Sequence, residues 1–176
     1  MGAIRLVPLP GSRDSDLQRL ADLLGEVFHR RVAIAKAWSR VDFAFDPGRD
    51  QYSSRAILAA LLQRQDAESE RVLAVTGVDL FMPVLTFVFG EAQLDGCAAV
   101  VSTCRLAPDF YGLPPDPERL QERLEKEAIH ELGHTYGLLH CPDDLCVMRS
   151  STYVEELDSK DVGFCVECMA RFGAVR

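Results

Sequence analysis

Residues 130–140 read HELGHTYGLLH, and this segment is the most informative in the chain. Residues four apart on an α-helix lie on one face, so His130 and His134 would project side by side. Two imidazoles at this spacing can bind one zinc ion. Glu131 lies next to the same face, which makes it a candidate general base toward a bound water molecule. The segment therefore predicts a metal site carried by a helix.

A turn after this helix would bring a third histidine, His140, to the same ion. Gly137 can supply the turn because glycine adopts a positive φ without steric cost. Leu138 and Leu139 are expected to anchor the turn in the core. Three neutral imidazoles with an open fourth position form the ligand set of a catalytic zinc site. The competing interpretation is three histidines packed in a hydrophobic core.

Four cysteines follow the histidines. Cys141 is adjacent to His140, and Cys146, Cys165 and Cys168 come later, so that two paired elements are separated by 18 residues. This spacing is typical of a closed, four-thiolate structural zinc site. The alternatives are a redox pair at the last two cysteines, whose pKa would be lowered at a helix start, and four unrelated buried thiols. Because His140 and Cys141 share a peptide bond, the structural zinc would fix the chain that presents His140.

Composition excludes several classes of protein. The chain has 176 residues and a formal net charge of −8, and this acidic balance disfavours nucleic acid as the partner. No apolar run reaches the length of about 20 residues that a membrane-spanning helix needs. We therefore expect no membrane association and a cytoplasmic location. Thiols stay reduced there, so clustered cysteines are expected to bind metal rather than form disulfides.

Alternating strand and helix patterns predict an α/β (α+β) fold. Residues 1–176 are interpreted as a single domain, with the sheet and the active-site helix in 1–140 and a zinc-bearing cysteine subdomain in 141–176. Strands are predicted at 4–9, 32–35, 41–45, 71–75, 85–89 and 97–102, and helices at 13–30, 50–65, 117–136 and 159–172.

The segment from His130 to Cys168 resembles the archaemetzincins, a branch of the metzincin zinc peptidases. That family joins the long histidine motif to four cysteines and to a methionine two residues after the second cysteine, and Met148 stands at that position here. The resemblance extends over about residues 79–172. It implies a metzincin-like fold, a mixed and twisted sheet with helices, in which Met148 forms a hydrophobic floor beneath the three imidazoles.

The resemblance also implies a zinc-dependent peptidase with two zinc ions per chain. The catalytic zinc would be bound by His130, His134 and His140, with Glu131 as the general base, and the structural zinc by the four cysteines. An edge strand near residues 87–90 is expected to bind an extended peptide by strand addition. A non-catalytic, zinc-containing peptide-binding protein and a thiol oxidoreductase are the alternatives. The sequence leaves open the choice between endopeptidase and aminopeptidase action and the oligomeric state.

Overall fold

A mixed β-sheet with helices on both faces forms the centre of the protein, which a computed structural model describes for residues 3–64 and 69–174. Strands and helices alternate within that part of the chain, which confirms the predicted α/β (α+β) class. None of the described helices is long and apolar enough to cross a membrane. The elements follow in the order β1 (Ala3–Pro8), α1 (Asp14–Phe28), β2 (Val32–Ile34), β3 (Phe45–Asp46), β4 (Gln51–Ser53), α2 (Ser54–Gln63), β5 (Ser69–Thr76), β6 (Leu80–Phe81), β7 (Gly90–Ala92), β8 (Ala98–Ser102), α3 (Pro117–Thr135), α4 (Val154–Ser159) and α5 (Val166–Ala174).

The main sheet has the strand order β2-β1-β5-β8-β7. Strands β1, β2, β5 and β8 are parallel to one another. Strand β7 runs antiparallel to β8 and lies at the edge of the sheet. The predicted strands at 71–75 and 97–102 are confirmed, since they correspond to β5 and β8 in the middle of the sheet. Strands β3, β4 and β6 form a second, smaller sheet.

The two faces of the main sheet contact different helices because successive residues of a strand point in opposite directions. In β5, Leu73 and Val75 belong to the core cluster that includes α1 and α3. Val72 and Ala74 belong to the cluster that includes α2. These four side chains are at most 1% exposed, as expected for a parallel strand that is covered on both faces.

Helix α3, which carries the histidine motif, is anchored at both its start and its middle. It begins with Pro117 in the first turn, and the Asp116 side chain caps it by accepting a hydrogen bond from the Arg119 amide at 3.0 Å. Arg123 donates two hydrogen bonds of 2.7 Å to Asp158 of α4. The helix therefore holds the histidine motif on a fixed support.

The strand predicted at 41–45 is wrong. Residues Asp42–Ala44 form a 3₁₀ turn, and β3 begins only after it. Val41 and Ala44 are buried, whereas Phe43 is exposed. The buried residues are thus three positions apart, a spacing that suits a turn. The apolar–polar alternation of residues 41–45, which predicted a strand, does not mark a buried strand face.

The prediction of a strand at 85–89 is also wrong, because this segment is a loop in which Val88 forms an isolated bridge with Leu80, and β7 follows it. The carbonyls of Leu85 and Thr86 accept hydrogen bonds from the Arg49 side chain, and the Gln51 side chain donates to the second of them. Side-chain donors therefore satisfy backbone groups that a strand would have paired with a neighbouring strand.

Two predicted helices have different bounds in the structure. The helix predicted at 50–65 begins later, because Gln51–Ser53 pair as β4 and the Ser53 side chain then caps α2 by accepting from the Ala56 amide. Gln65, the last residue of that prediction, lies outside the described residues.

The helix predicted at 159–172 is replaced by two helices, α4 and α5. Residues between them run along the segment that carries Cys146, with the Asp161 amide donating to the Leu145 carbonyl and the Val147 amide donating to the Gly163 carbonyl. This pairing requires an extended chain, which ends α4 and delays the start of α5 until after Cys165.

Candidate active site

Helix α3 presents two of the three histidines with fixed ring orientations. The Nδ1 atom of His130 donates to the Val147 carbonyl at 2.9 Å, and the Nδ1 atom of His134 donates to the Leu138 carbonyl at 2.7 Å. Each ring then has its Nε2 atom free, and the two Nε2 atoms lie 3.0 Å apart. The predicted side-by-side placement is therefore present, and the backbone sets which nitrogen faces the site.

The third histidine reaches the same point through the predicted turn. Gly137 has a φ of 80°, and its amide donates to the His134 carbonyl at 2.9 Å. One ring nitrogen from each of the three histidines, His140 included, lies within 4.8 Å of the others. The expected anchoring of the turn is half correct, because Leu138 is buried whereas Leu139 is 57% exposed. A single buried leucine is enough because the backbone bonds already close the turn.

The three imidazoles suit a divalent metal ion with nitrogen ligands. Burial lowers the pKa of His130 to about 3 and also lowers the pKa of His134 and His140. The rings are therefore neutral at physiological pH, which is the form that binds metal. Zinc–nitrogen bonds of about 2.0–2.1 Å fit nitrogen atoms that lie this close together. The donor set and its geometry thus fit zinc.

Glu131 lies beside the histidines with a second carboxylate, Glu127, one helical turn away. Both side chains are buried, and they hydrogen-bond to each other. Burial raises the pKa of Glu131 well above its usual value, and the nearby Glu127 raises it further. Burial likewise raises the pKa of Glu127 to about 7. In the metal-free protein the pair therefore holds a proton near neutral pH.

A cleft of about 490 Å³ opens onto these groups. Helix α3 contributes His130, His134 and the two carboxylates, the turn after it contributes His140, and the loop before β7 contributes mainly apolar side chains. Strand β7 itself and residues 150–152 complete the lining. The edge strand lies at Gly90–Ala92, so the prediction of an edge strand near 87–90 is correct only at its last residue.

Glu131 packs directly against the backbone of this edge strand. A methyl group at Gly90 would lie 2.7 Å from Cγ of Glu131, 2.9 Å from its Oε1 and 2.8 Å from the Val100 carbonyl oxygen. Such contacts are too short for any side chain. Only glycine lets the strand approach the carboxylate this closely.

With Glu131 as the general base expected from the sequence, the Gly90→Ala variant should lower kcat about 100-fold, because the added methyl group shifts the carboxylate from its position. Overpacking should also reduce the free energy of unfolding by about 1–3 kcal/mol. Steady-state kinetics and chemical denaturation measure the two effects. Gly173→Ala is the matched control, since a methyl group there meets nothing within 4 Å. Unchanged kcat in Gly90→Ala would contradict the assigned contact.

The four predicted cysteines form a second cluster. One sulfur from each of Cys141, Cys146, Cys165 and Cys168 lies within 4.8 Å of the others. The Cys165 amide donates to the Cys146 sulfur at 3.4 Å, and a hydrogen bond from the Cys168 backbone lowers the pKa of the Cys165 thiol. Convergence of all four sulfurs suits a tetrahedral zinc site rather than an isolated redox pair.

Met148 lies under helix α3 in full burial. A methyl group at Gly133 would lie 2.5 Å from the Met148 sulfur, so the helix and the methionine are in close contact at this glycine. Gly133 precedes His134, which puts the methionine against the stretch of helix between the two helical histidines. The floor beneath the three imidazoles stays a prediction for Met148.

Sequence reasoning missed four participants in this region. Glu127 lies four residues before Glu131, so helical spacing could have identified it. Long-range packing brings the other three to the site, namely Gly90, the Val147 carbonyl and Lys160. No local sequence pattern indicates such packing.

Comparison with known proteins reveals close relatives along almost the entire chain. The sequence pattern of peptidase family M54 matches residues 33–173. An archaemetzincin from Methanocaldococcus jannaschii is 40% identical over 168 residues, which cover 96% of this chain and 91% of the relative. The crystal structure of an archaemetzincin from Methanopyrus kandleri superposes with a TM-score of 0.83 at 37% identity, covering 98% of this chain and 95% of that one. A zinc-dependent peptidase from Methanocorpusculum labreanum has a TM-score of 0.82 at 29% identity, covering 95% and 99%.

Together with the fold and the histidine cluster, these matches define a zinc metallopeptidase, an enzyme that acts on peptide or protein substrates. Within that class, the chain belongs to peptidase family M54, the archaemetzincins.

Proposed function

We propose that this metallopeptidase cleaves peptide bonds at a zinc ion bound by His130, His134 and His140, with Glu131 as the general base. The observation that carries the proposal is the convergence of three ring nitrogens within 4.8 Å in a cleft that the Glu131 carboxylate also lines. Neutral imidazoles and a buried carboxylate next to an open position are the groups that metal-assisted hydrolysis requires.

Each group of the chain has a definite task in this reaction. Zinc, when bound, supplies a Lewis acid that lowers the pKa of water and polarises the scissile carbonyl. Glu131 accepts the proton of the attacking water and donates it to the leaving amine. Glu127 holds the Glu131 carboxylate through their hydrogen bond. Hydrogen bonds from Nδ1 to backbone carbonyls keep His130 and His134 in the orientation that binds metal.

The peptide substrate is proposed to bind in an extended conformation along β7, residues Gly90–Ala92. This strand pairs only with β8 in the described part of the chain, so its other edge is available for backbone hydrogen bonds. The preceding loop is committed to Arg49 and Gln51 and does not offer the same edge. Its apolar side chains, among them Leu85 and Phe87, would contact substrate side chains instead.

A second, structural zinc is proposed at Cys141, Cys146, Cys165 and Cys168, giving two zinc ions per chain. Four converging sulfurs leave no open position, so this site is closed and stabilises the fold. Residues 1–176 are proposed to form a single domain. A core cluster that contains β5, α1 and α3 also contains Cys146 and Phe172, which supports the cysteine segment as part of that core.

Metal analysis combined with a peptide-library digest tests this proposal. We expect two zinc ions per chain and cleavage of library peptides, and Glu131→Gln serves as the blank. The digest also reports whether cleavage occurs inside peptides or at their amino termini. Binding of intact peptides without cleavage would favour a non-catalytic zinc-containing binding protein. A single zinc ion per chain would contradict the two-site assignment.

A further inference from the structure

Lys160 is a buried cation whose ammonium group contacts the backbone next to Cys146, one of the proposed zinc ligands. Its side chain is 4% exposed, which is rare for lysine unless a partner compensates for the lost hydration. Its Nζ atom donates to the Arg149 carbonyl and lies 3.5 Å from the Val147 carbonyl oxygen. These two carbonyls flank Met148. One ammonium group thus holds the backbone on both sides of the methionine under helix α3.

The Val147 carbonyl is shared by Lys160 and a histidine of the site. It accepts the 2.9 Å hydrogen bond from Nδ1 of His130, and the same oxygen faces the Lys160 ammonium group. Val147 is fully buried, so water does not replace either donor. The position of this carbonyl therefore sets the orientation of His130, and Lys160 helps to set the position of the carbonyl.

The chain around Lys160 is also joined to the cysteine cluster. The neighbouring Asp161 amide donates to the Leu145 carbonyl at 2.8 Å, directly before Cys146. Five residues after Lys160 comes Cys165. Lys160 therefore lies on a segment whose geometry depends on the cysteine site, while its ammonium group acts on the backbone that orients His130.

Charge favours a cation at this position. Glu127 and Glu131 both interact electrostatically with Lys160, as do Glu156 and Cys146. Burial lowers the pKa of Lys160, and these groups oppose that shift. A neutral side chain would leave the two buried carboxylates of α3 without a nearby cation and the Arg149 carbonyl without its lysine donor.

We infer that Lys160 is a positioning residue that fixes the Val147–Arg149 backbone, and through it His130, for metal binding at the histidine site. The inference rests on the proposed function, because it assigns the histidines to the catalytic metal. Removal of a group that orients a metal ligand lowers metal affinity by about 10- to 100-fold.

Cobalt titration of the metal-free full chain tests the inference with a readout other than activity. Cobalt bound by thiolates gives intense charge-transfer absorption, whereas cobalt bound by imidazoles gives weak visible bands, so the two sites are followed separately. We expect Lys160→Met to weaken cobalt binding at the imidazole site about 10- to 100-fold. Cobalt binding at the thiolate site should be nearly unchanged. Lys160→Arg, which retains the charge and the donors, should restore most of the affinity.

Lys126→Met is the matched control. Lys126 also donates to two backbone carbonyls, those of Leu157 and Asp158, but these belong to α4, which carries no proposed metal ligand. This variant should bind both cobalt ions like the wild type. If Lys160→Met does not fold, Lys160→Gln, which retains an N–H donor without the charge, is titrated in its place with the same expected direction.

The outcomes separate this inference from the proposed function. Wild-type protein that gives no imidazole-type cobalt bands would overturn the proposed catalytic site, and the inference with it. Wild-type bands together with unchanged cobalt affinity in the Lys160 variants would overturn the inference alone. Equal losses in the Lys160→Met and Lys126→Met variants would also overturn it, because they would indicate a general loss of stability.

Discussion

Replacing Glu131 with glutamine is expected to lower kcat/KM about 10²–10⁴-fold, the usual contribution of a general base, while both metal ions remain bound. Glutamine has nearly the same shape and retains a hydrogen-bonding group for Glu127, but it cannot take a proton from water. Glu131 is not among the converging ligand atoms of the histidine cluster, so metal content should not change. Steady-state kinetics on a cleaved library peptide and metal analysis of the same preparation measure both quantities.

Glu125→Gln is the matched control for this experiment. Glu125 is a buried carboxylate on the same helix, but it accepts a hydrogen bond from Gln121 and pairs with Arg19 at 2.7 Å, and it does not line the cleft. Its replacement should reduce stability slightly and leave kcat/KM unchanged. Wild-type turnover in Glu131→Gln would eliminate the assigned mechanism. An equal loss of turnover in both variants would trace the effect to helix packing rather than to proton transfer.

The parts of the fold that could be predicted from the sequence are those in which local pattern and packing agree. Four of residues 71–75 are apolar, in a continuous run from Val72 to Val75, and they form a strand buried on both faces. Asp116 and Pro117 mark the start of α3 because capping is a local interaction. The segments at 41–45 and 85–89 have equally apolar sequences, but hydrogen bonds from a turn and from the side chain of Arg49 determine their conformations. Arg49 is distant in the sequence from the loop that it holds, and the turn repeats every three residues rather than every two. The apolar pattern of these segments therefore does not reveal either feature.

In the candidate site, too, some residues could be predicted from local sequence patterns and others could not. The proposed ligands were predictable because two short motifs supply the residue types and spacing that zinc sites use, and the structure brings the nitrogens of one motif and the sulfurs of the other together. The groups that hold these ligands were not predictable. Gly90 contacts Glu131 across 41 positions of the chain, and Lys160 and His130 share the carbonyl of Val147. Positions of this kind are set by tertiary packing.

The Cys141→Ser variant is expected to lose metal from both sites. Removal of one thiolate opens the cysteine site, and structural zinc sites of this type contribute about 10–16 kcal/mol of apparent binding free energy in isolated peptides. His140 precedes Cys141 directly, and the Cys141 amide donates to the Met148 carbonyl at 3.0 Å. Once Cys141 is released, the chain that presents His140 is no longer fixed. Metal analysis per chain and thermal unfolding measure the two losses.

Cys97→Ser is the matched control, because Cys97 is a half-buried cysteine outside the cluster, and this variant should retain both metals. Coupling between the two bound metal ions is reciprocal in free energy, so an occupied cysteine site strengthens zinc binding at the histidine site by the same factor as an occupied histidine site strengthens binding at the cysteine site. The zinc occupancies of the two variants His140→Ala and Cys141→Ser are nevertheless expected to differ. Four thiolates bind zinc far more tightly than three imidazoles, so His140→Ala should retain its structural zinc while Cys141→Ser loses both ions. If Cys141→Ser loses only one zinc and keeps full activity, His140 is held independently of the cysteine site.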